Sequence, residues 1–241
     1  DGDEYVINGS KIFITNGSIA DYLAVFCVTN PDAESRYNRH SILMVETDRA
    51  GFEASKIKGK MGIRASDTAE LSFNNVRVPK ENLVGEKEGY GFAQTMELFN
   101  INRVVAASQG VGVAQGALDQ AIKHVKKREA FGQPIGKFQA IQFKLAEMAT
   151  RVEASRVLTY QAAWLLDHGK TDPKLIAMAK WMAGETGVRV TDDALQLHGG
   201  YGFINEYDIE RFYRDAKIVE IYEATKEMEK NTIARQLLGR F

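Results

Sequence analysis

Up to about residue 88 the apolar positions alternate with polar ones in short runs broken by turn residues; beyond it they recur every three or four residues. The first stretch predicts strands. Glu4–Ile7 and Ser10–Thr15 flank Asn8-Gly9, a strong short hairpin signal, and further strands are predicted at Tyr22–Thr29, Ser41–Glu46, Ala69–Phe73 and Val76–Val78, just before Pro79. Strands this short and closely spaced, with no helical pattern between them, predict a small antiparallel sandwich or barrel. Pro31 to His40 reads as an exposed loop.

The second stretch predicts helices. Val104, Ala107, Val111, Ala114, Leu118, Ile122 and Val125 form one apolar stripe; Phe138, Ile141, Leu145, Met148 and Val152 form a second that continues to Leu165. A third helix starts at Asp172-Pro173, an N-cap followed by proline in the first turn, and stops at Gly199-Gly200. A fourth is expected from Ala224 to Leu238. Long helices with short connections make a bundle. The expected class is α+β with two domains, a β-domain over residues 1–88 and a helical bundle over 89–241.

Composition narrows the function. The 31 basic and 32 acidic side chains nearly cancel, which gives no electrostatic reason to expect nucleic acid or an anionic membrane. The local basic cluster is Lys123, Lys126, Lys127 and Arg128. No apolar run approaches the roughly 20 residues that span a bilayer, so no membrane insertion is expected. The single cysteine, Cys27, excludes an intramolecular disulfide and reads as a buried strand thiol. His40, His124, His168 and His198 are scattered and lack the i, i+4 pairing of a helical metal site, so no metal is expected.

Two patterns invite a functional reading. Gly110-Val-Gly112-Val-Ala-Gln-Gly116 resembles a dinucleotide fingerprint but has the wrong spacing and lies in a helical pattern, where small residues permit close helix packing. Glu220, Glu223 and Glu227 fall at spacings that could share one helix face, which by itself describes a solvated acidic face.

The sequence around those carboxylates is more specific. Gln196-Leu-His-Gly-Gly-Tyr-Gly-Phe, Asn205-Glu-Tyr, Arg214-Asp-Ala-Lys-Ile218 and Ile221-Tyr-Glu-Ala-Thr225 follow one another, preceded by Arg128-Glu-Ala-Phe-Gly-Gln133 and Phe138-Gln139. Further upstream stand Ile14-Thr-Asn-Gly17, Met61-Gly-Ile-Arg-Ala-Ser-Asp-Thr68 and Val78-Pro79-Lys80-Glu81-Asn82. In order and spacing, over essentially the whole chain, these motifs resemble the acyl-CoA dehydrogenase family.

The resemblance implies the family's middle β-domain and C-terminal four-helix bundle; its N-terminal helical domain, which supplies part of the flavin and acyl pocket, is absent from this sequence. It implies FAD as cofactor, an acyl-CoA substrate and an electron-transfer flavoprotein as redox partner. A homo-oligomer built as a dimer of dimers is implied too, in the bacterial cytoplasm or mitochondrial matrix. Glu223 matches the family's base for the α-proton, with its backbone N–H and a flavin hydroxyl holding the thioester oxygen. Relatives that carry the base on the first bundle helix have a carboxylate where this chain has Asn100-Ile-Asn102-Arg103.

Other positions carry over singly. Arg103, Tyr222 and Ala224 match substrate-side positions; Ala224 stands where glycine is usual. Phe13, Ile14 and Thr15 match the strand that packs on the flavin ring, though the pattern alone reads them as hairpin core. Arg128, Phe131 and Gln139 match residues that reach the FAD of a neighbouring subunit, where a guanidinium suits a pyrophosphate; a basic helix end favoured by the dipole is the plainer reading. Gln196, Gly199 and Gly200 match contacts across the same interface, and also form an ordinary C-cap. Thr225 and Glu227 match cofactor contacts beyond the base, with a glutamate where an amide is more usual. The expected activity is α,β-desaturation of an acyl-CoA thioester. The alternatives are the same fold run backwards as an enoyl-CoA reductase, an oxidase using oxygen, or a non-catalytic assembly subunit.

Overall fold

The structure is a computed structural model and describes residues 1–239. It divides into two compact units, residues 1–98 and the residues from Phe99 onward.

The first unit carries β1 (Glu4–Thr15), β2 (Tyr22–Val28), β3 (His40–Glu46), β4 (Phe52–Lys56) and β5 (Thr68–Pro79). They form two antiparallel sheets, one in the order β1-β5-β4 and one pairing β2 with β3. Leu23, Val25, Leu43 and Val45 from one sheet meet Ile7, Leu71, Phe73, Val76 and Val78 from the other in a single apolar core. That is the sandwich form of the expectation; no closed barrel is formed among the described residues.

Asn8-Gly9 does not turn a hairpin. Residues 4–15 are one strand, and the register against β5 jumps between Ile7↔Val76 and Gly9↔Phe73. The Asn8 side chain accepts a hydrogen bond from the Asn75 N–H (2.8 Å) and donates to the Asn75 side-chain oxygen (3.2 Å). The irregularity is a β-bulge. It also explains β5, expected as two strands and observed as one: its buried residues run 69, 71, 73 and then 76, 78. The extra residue resets the alternation so that both halves still face the core. Strand β4 escapes the pattern because Glu53, Ala54, Ser55 and Lys56 are all exposed, with no apolar alternation, and only Phe52 is even half-buried. Cys27 is half-buried rather than buried, and burial pushes its thiol up.

Two distant motifs meet in this unit. The Asp67 carboxylate accepts from the Ser18 N–H (3.1 Å) and hydroxyl (2.8 Å), and its backbone carbonyl accepts from the Asn16 N–H (3.2 Å). A side chain at Gly17 would meet the Ala69 and Leu71 side chains at 3.0 Å. The Ile14-Thr-Asn-Gly17 turn is thus fastened to the start of β5 by close packing and by Asp67.

The second unit is helical: most of α1 (Gly91–Lys127), α2 (Gln139–Asp167), α3 (Pro173–His198), α4 (Ile209–Ala216) and α5 (Lys226–Leu238). α1, α2 and α3 share the apolar core, α5 packs on α3, and so does α4, which the apolar spacing leaves unmarked. A minimal hairpin of β6 (Glu129–Ala130) and β7 (Gln133–Pro134) joins α1 to α2. Asp172 caps α3 by accepting from the Lys174 and Leu175 N–H groups, as expected. Gly199 ends α3 at φ 59°. The stripe on α1 packs in two layers, Val104, Ala107 and Val111 against Ile176, Ala179 and Ala183, then Ala114, Leu118 and Val125 against Met148, Val190 and Leu197.

Candidate active site

Between α4 and α5 the chain makes a 3₁₀ turn, Lys217–Glu220, and then an irregular stretch before Thr225. The three glutamates therefore do not share a helix face. Glu220 is buried between Lys217 and Lys226, Glu227 is exposed in the first turn of α5, and Glu223 lies in the break. A hydrogen bond from its own backbone N–H holds the Glu227 carboxyl below the usual range.

Glu223 (φ 52°) and Ala224 (φ 82°) are both left-handed, a conformation that costs a non-glycine residue on the order of 1–3 kcal/mol and persists only where neighbours enforce it. The enforcing contacts are visible. The Ile221 and Tyr222 N–H groups donate to the Ile218 carbonyl (2.9 and 3.0 Å). The Tyr222 hydroxyl donates to Gln109 on α1; burial raises this phenol, and the Glu223 charge raises it further. Arg103 Nε on α1 donates to the Glu223 carbonyl at 3.4 Å, and Lys180 Nζ on α3 donates to the Ala224 carbonyl. At Gly184 a side chain would approach the Val219 carbonyl to 3.2 Å, so α3 lies close under the turn. The outcome is a carboxylate on a fixed backbone: Glu223 Oε2 is buried without a hydrogen-bond partner.

Beneath this turn lies a charge cluster of which the sequence marks only Arg103, as a match to a substrate-side position; its guanidinium lies instead against Glu229 and the Glu223 carbonyl. Lys180 is 1% exposed, Arg103 9% and Glu229 0%. Arg103 Nε lies 3.2 Å from a Glu229 carboxylate oxygen but out of hydrogen-bond alignment, so both Glu229 oxygens are buried without a hydrogen bond. Burial raises the Glu229 carboxyl to about 7, against the pull of Arg103 and Lys180. Burial likewise lowers Lys180, and Glu229 opposes that shift. The available signal is phase: Lys180 follows Ile176, and Glu229 precedes Ile233, by one helical turn on a buried face.

The remaining positions fall into two groups. In the first unit, Phe13 is left-handed (φ 60°) and 70% exposed at a second irregularity of β1, Ile14 packs on the core, and Thr15 is exposed at the strand end. In the second unit, Arg128, Gln196, Gly199 and Gly200 line one cavity of about 480 Å³ with His124 and His198. The two imidazoles stack at 4.1 Å, so these histidines are not scattered in space. His198 Nδ1 pairs with the Ala194 carbonyl (2.7 Å), and burial, with His198 and Arg128 adding to it, depresses His124. Arg128 extends over the Tyr201 ring at 5.6 Å. The Gly199 N–H is committed to the Gln196 carbonyl as a helix cap. Phe131, left-handed and 93% exposed, and Gln139, exposed at the start of α2, lie outside that cavity's lining.

Among the described residues no group of three or more His, Cys, Asp or Glu is arranged to hold a metal ion, and no helix is long and apolar enough to cross a membrane.

Comparison with known proteins fits this arrangement. The model of the acyl-CoA dehydrogenase C-terminal domain matches residues 89–238, and that of the middle domain matches residues 1–76. The chain is 47% identical to cyclohex-1-ene-1-carbonyl-CoA dehydrogenase of Geobacter metallireducens, an alignment covering 98% of this chain and 62% of the relative. It is 46% identical to acryloyl-CoA reductase (NADH) of Anaerotignum propionicum, covering 99% and 60%. A chain solved in work on the electron transferring flavoprotein of Acidaminococcus fermentans and flavin-based electron bifurcation superposes with a TM-score of 0.95 at 47% identity, covering 100% of this chain and 62% of that one. The chain thus spans about three-fifths of the length of these relatives. With both models matched in order and the fold reproduced throughout, this chain belongs to the acyl-CoA dehydrogenase family.

Proposed function

We propose that the protein containing this chain catalyses α,β-dehydrogenation of an acyl-CoA thioester, with Glu223 removing the α-proton. One observation carries the reading: in the segment that matches the family's catalytic motif, a carboxylate with a buried, unpartnered oxygen stands on a strained turn held at consecutive carbonyls by two buried cations. An α-hydrogen beside a thioester is weakly acidic. Its removal needs a base held at one distance, in a site where water does not compete for it. The Glu223 turn supplies the first condition, and the burial of Oε2 supplies the second.

The residues present fit FAD. Arg128 and the Gln196 amide border one cavity, a donor set suited to a phosphate oxygen, while Phe13 and Phe131 offer apolar faces that an aromatic group would cover. In the helical unit Arg128, Gln139, Gln196 and Gly200 would hold its phosphate side, and Thr225 and Glu227 match further contacts; in the β-unit Phe13, Ile14 and Thr15 match positions that would meet its ring. When bound, FAD would supply the acceptor for the β-hydride. Everything else is the work of the chain: Glu223 takes and holds the proton, and Tyr222 and Ala224 border the acyl group. An electron-transfer flavoprotein is the proposed redox partner. The match of Arg128, Phe131 and Gln139 to positions that serve a neighbour's cofactor supports a homo-oligomer arranged as a dimer of dimers.

The test is anaerobic mixing of the full-length flavoprotein with a panel of acyl-CoA thioesters. Loss of flavin absorbance together with enoyl-CoA formation is expected. A second reading, reduction of an enoyl-CoA, is favoured by the similarity to a reductase. Turnover of enoyl-CoA by the electron-loaded protein, with no bleaching by any saturated thioester, would select it.

A further inference from the structure

The turn that carries Glu223 is held from below by two cations, and neither is solvated. Lys180 is 1% exposed and donates to the Ala224 carbonyl; Arg103 is 9% exposed and donates to the Glu223 carbonyl. Two buried positive charges close enough to bind successive peptide groups repel one another, and an isolated buried ammonium tends to lose its proton or its place. Glu229 is the fully buried carboxylate beside Arg103, contributed by the first turn of α5, and its charge also acts on Lys180. The facing charges are Arg103 from α1, Lys180 from α3, and Glu220 and Glu223 from the segment before α5. Glu220 is engaged by Lys217 and Lys226, which leaves Glu229 as the counter-ion whose neighbours are the two turn-holding cations.

We propose that Glu229 is a positioning residue: as their counter-ion it holds Arg103 and Lys180 in place, so that they fix the carbonyls of Glu223 and Ala224 and thereby aim the Glu223 carboxylate. Its two oxygens make no hydrogen bond of their own. A carboxylate serving packing alone is better replaced by an amide or a methionine, because an unpaired buried charge is costly. What the charge provides here is electrostatic restraint on a backbone that is left-handed at two successive non-glycine residues.

The proposal rests on the reading of Glu223 as base, and the test separates the two. Glu229→Gln keeps the shape without the charge, Glu229→Asp keeps the charge on a shorter arm, and Glu223→Gln removes the base itself. All are made in the full-length flavoprotein and assayed with whichever thioester of a straight-chain and alicyclic acyl-CoA panel bleaches the parent fastest. Glu229→Gln is expected to leave KM and FAD content near those of the parent. It should lower kcat by roughly tenfold to a hundredfold, the scale of a misplaced catalytic group, and Glu229→Asp should recover part of the loss. Amide hydrogen exchange, which does not depend on catalysis, should quicken in Glu229→Gln at residues 222–225 and not across the bundle. If kcat and local exchange are those of the parent while Glu223→Gln is inactive, Glu229 positions nothing and the proposal falls. If Glu223→Gln is active, the reading of the base has failed instead, and exchange at 222–225 alone decides the role of Glu229. Should Glu229→Gln not fold, Glu229→Asp carries the test: exchange quickened at residues 222–225 and not across the bundle supports the proposal, and exchange like the parent's there overturns it.

Discussion

Arg103 Nε stands 3.2 Å from a carboxylate oxygen of Glu229, which is fully buried, while Arg103 is nearly so. The pairing does not fully offset burial, since the Glu229 carboxyl lies at about 7 rather than its usual 4.5. The folded chain therefore holds this proton more tightly than the unfolded chain does. The stability associated with it is complete below pH 4.5 and is lost as pH rises through 7, by on the order of 3 kcal/mol. Glu229→Gln should lack this loss. Urea denaturation of parent and variant at about pH 5 and pH 8 measures it: the parent should weaken relative to the variant at the higher pH, and a constant difference would show that Glu229 does not titrate as described.

Gly110 and Gly112, two residues apart on α1, should respond oppositely to alanine. A methyl at Gly110 would meet the Ala183 carbonyl oxygen at 2.7 Å, whereas one at Gly112 meets nothing within 4 Å. Gly110→Ala should destabilise the bundle by about 1–3 kcal/mol through overpacking. Gly112→Ala should stabilise it by up to about 1 kcal/mol through helix propensity. Thermal unfolding of the two variants checks both signs.

How much of this was legible in the sequence varied with the range of the interaction. The Asp172 cap, the Gly199 stop and the stripes of α1 to α3 are local, and they could be read residue by residue. Asn8-Gly9 was misleading because its outcome depends on Asn75, far along the chain, whose N–H the Asn8 side chain captures. Arg103, Lys180 and Glu229 come from three separate helices, and each alone resembles an ordinary surface charge. Their meeting is a product of the fold. The same holds for His124 and His198, which stack only because the end of α1 lies beside the end of α3.

Arg128→Ala should weaken FAD retention without unfolding the chain, because Arg128 is exposed at the rim of the cavity bordered by Gln196 and Gly200 and supports no buried core. The expected result in the full-length protein is a raised FAD dissociation constant that is less sensitive to salt than the parent's, as follows from losing one charged contact. Equal affinity and equal salt dependence would remove Arg128 from the proposed phosphate site.

Ala224→Gly bears on substrate choice. Ala224 holds φ 82°, a value glycine adopts without strain, so the variant should fold at least as well as the parent does. Deleting the methyl beside Glu223 should favour bulkier acyl groups over smaller ones by about 1–3 kcal/mol. The ranking of kcat/KM across an acyl-CoA panel reports it, and an unchanged ranking would place the acyl group elsewhere.

The central claim is that Glu223 is the base, and stopped-flow flavin reduction by a good acyl-CoA substrate in full-length Glu223→Gln tests it most directly. The amide keeps the shape of the side chain and leaves the Arg103 and Lys180 contacts to the backbone carbonyls intact, so FAD content, oligomeric state and thioester binding should match the parent. The rate of flavin reduction should fall by at least the roughly 10²–10⁴-fold attributable to a positioned base. Reduction at close to the parental rate would mean that the α-proton leaves to another group, and the function assigned to this turn would be wrong.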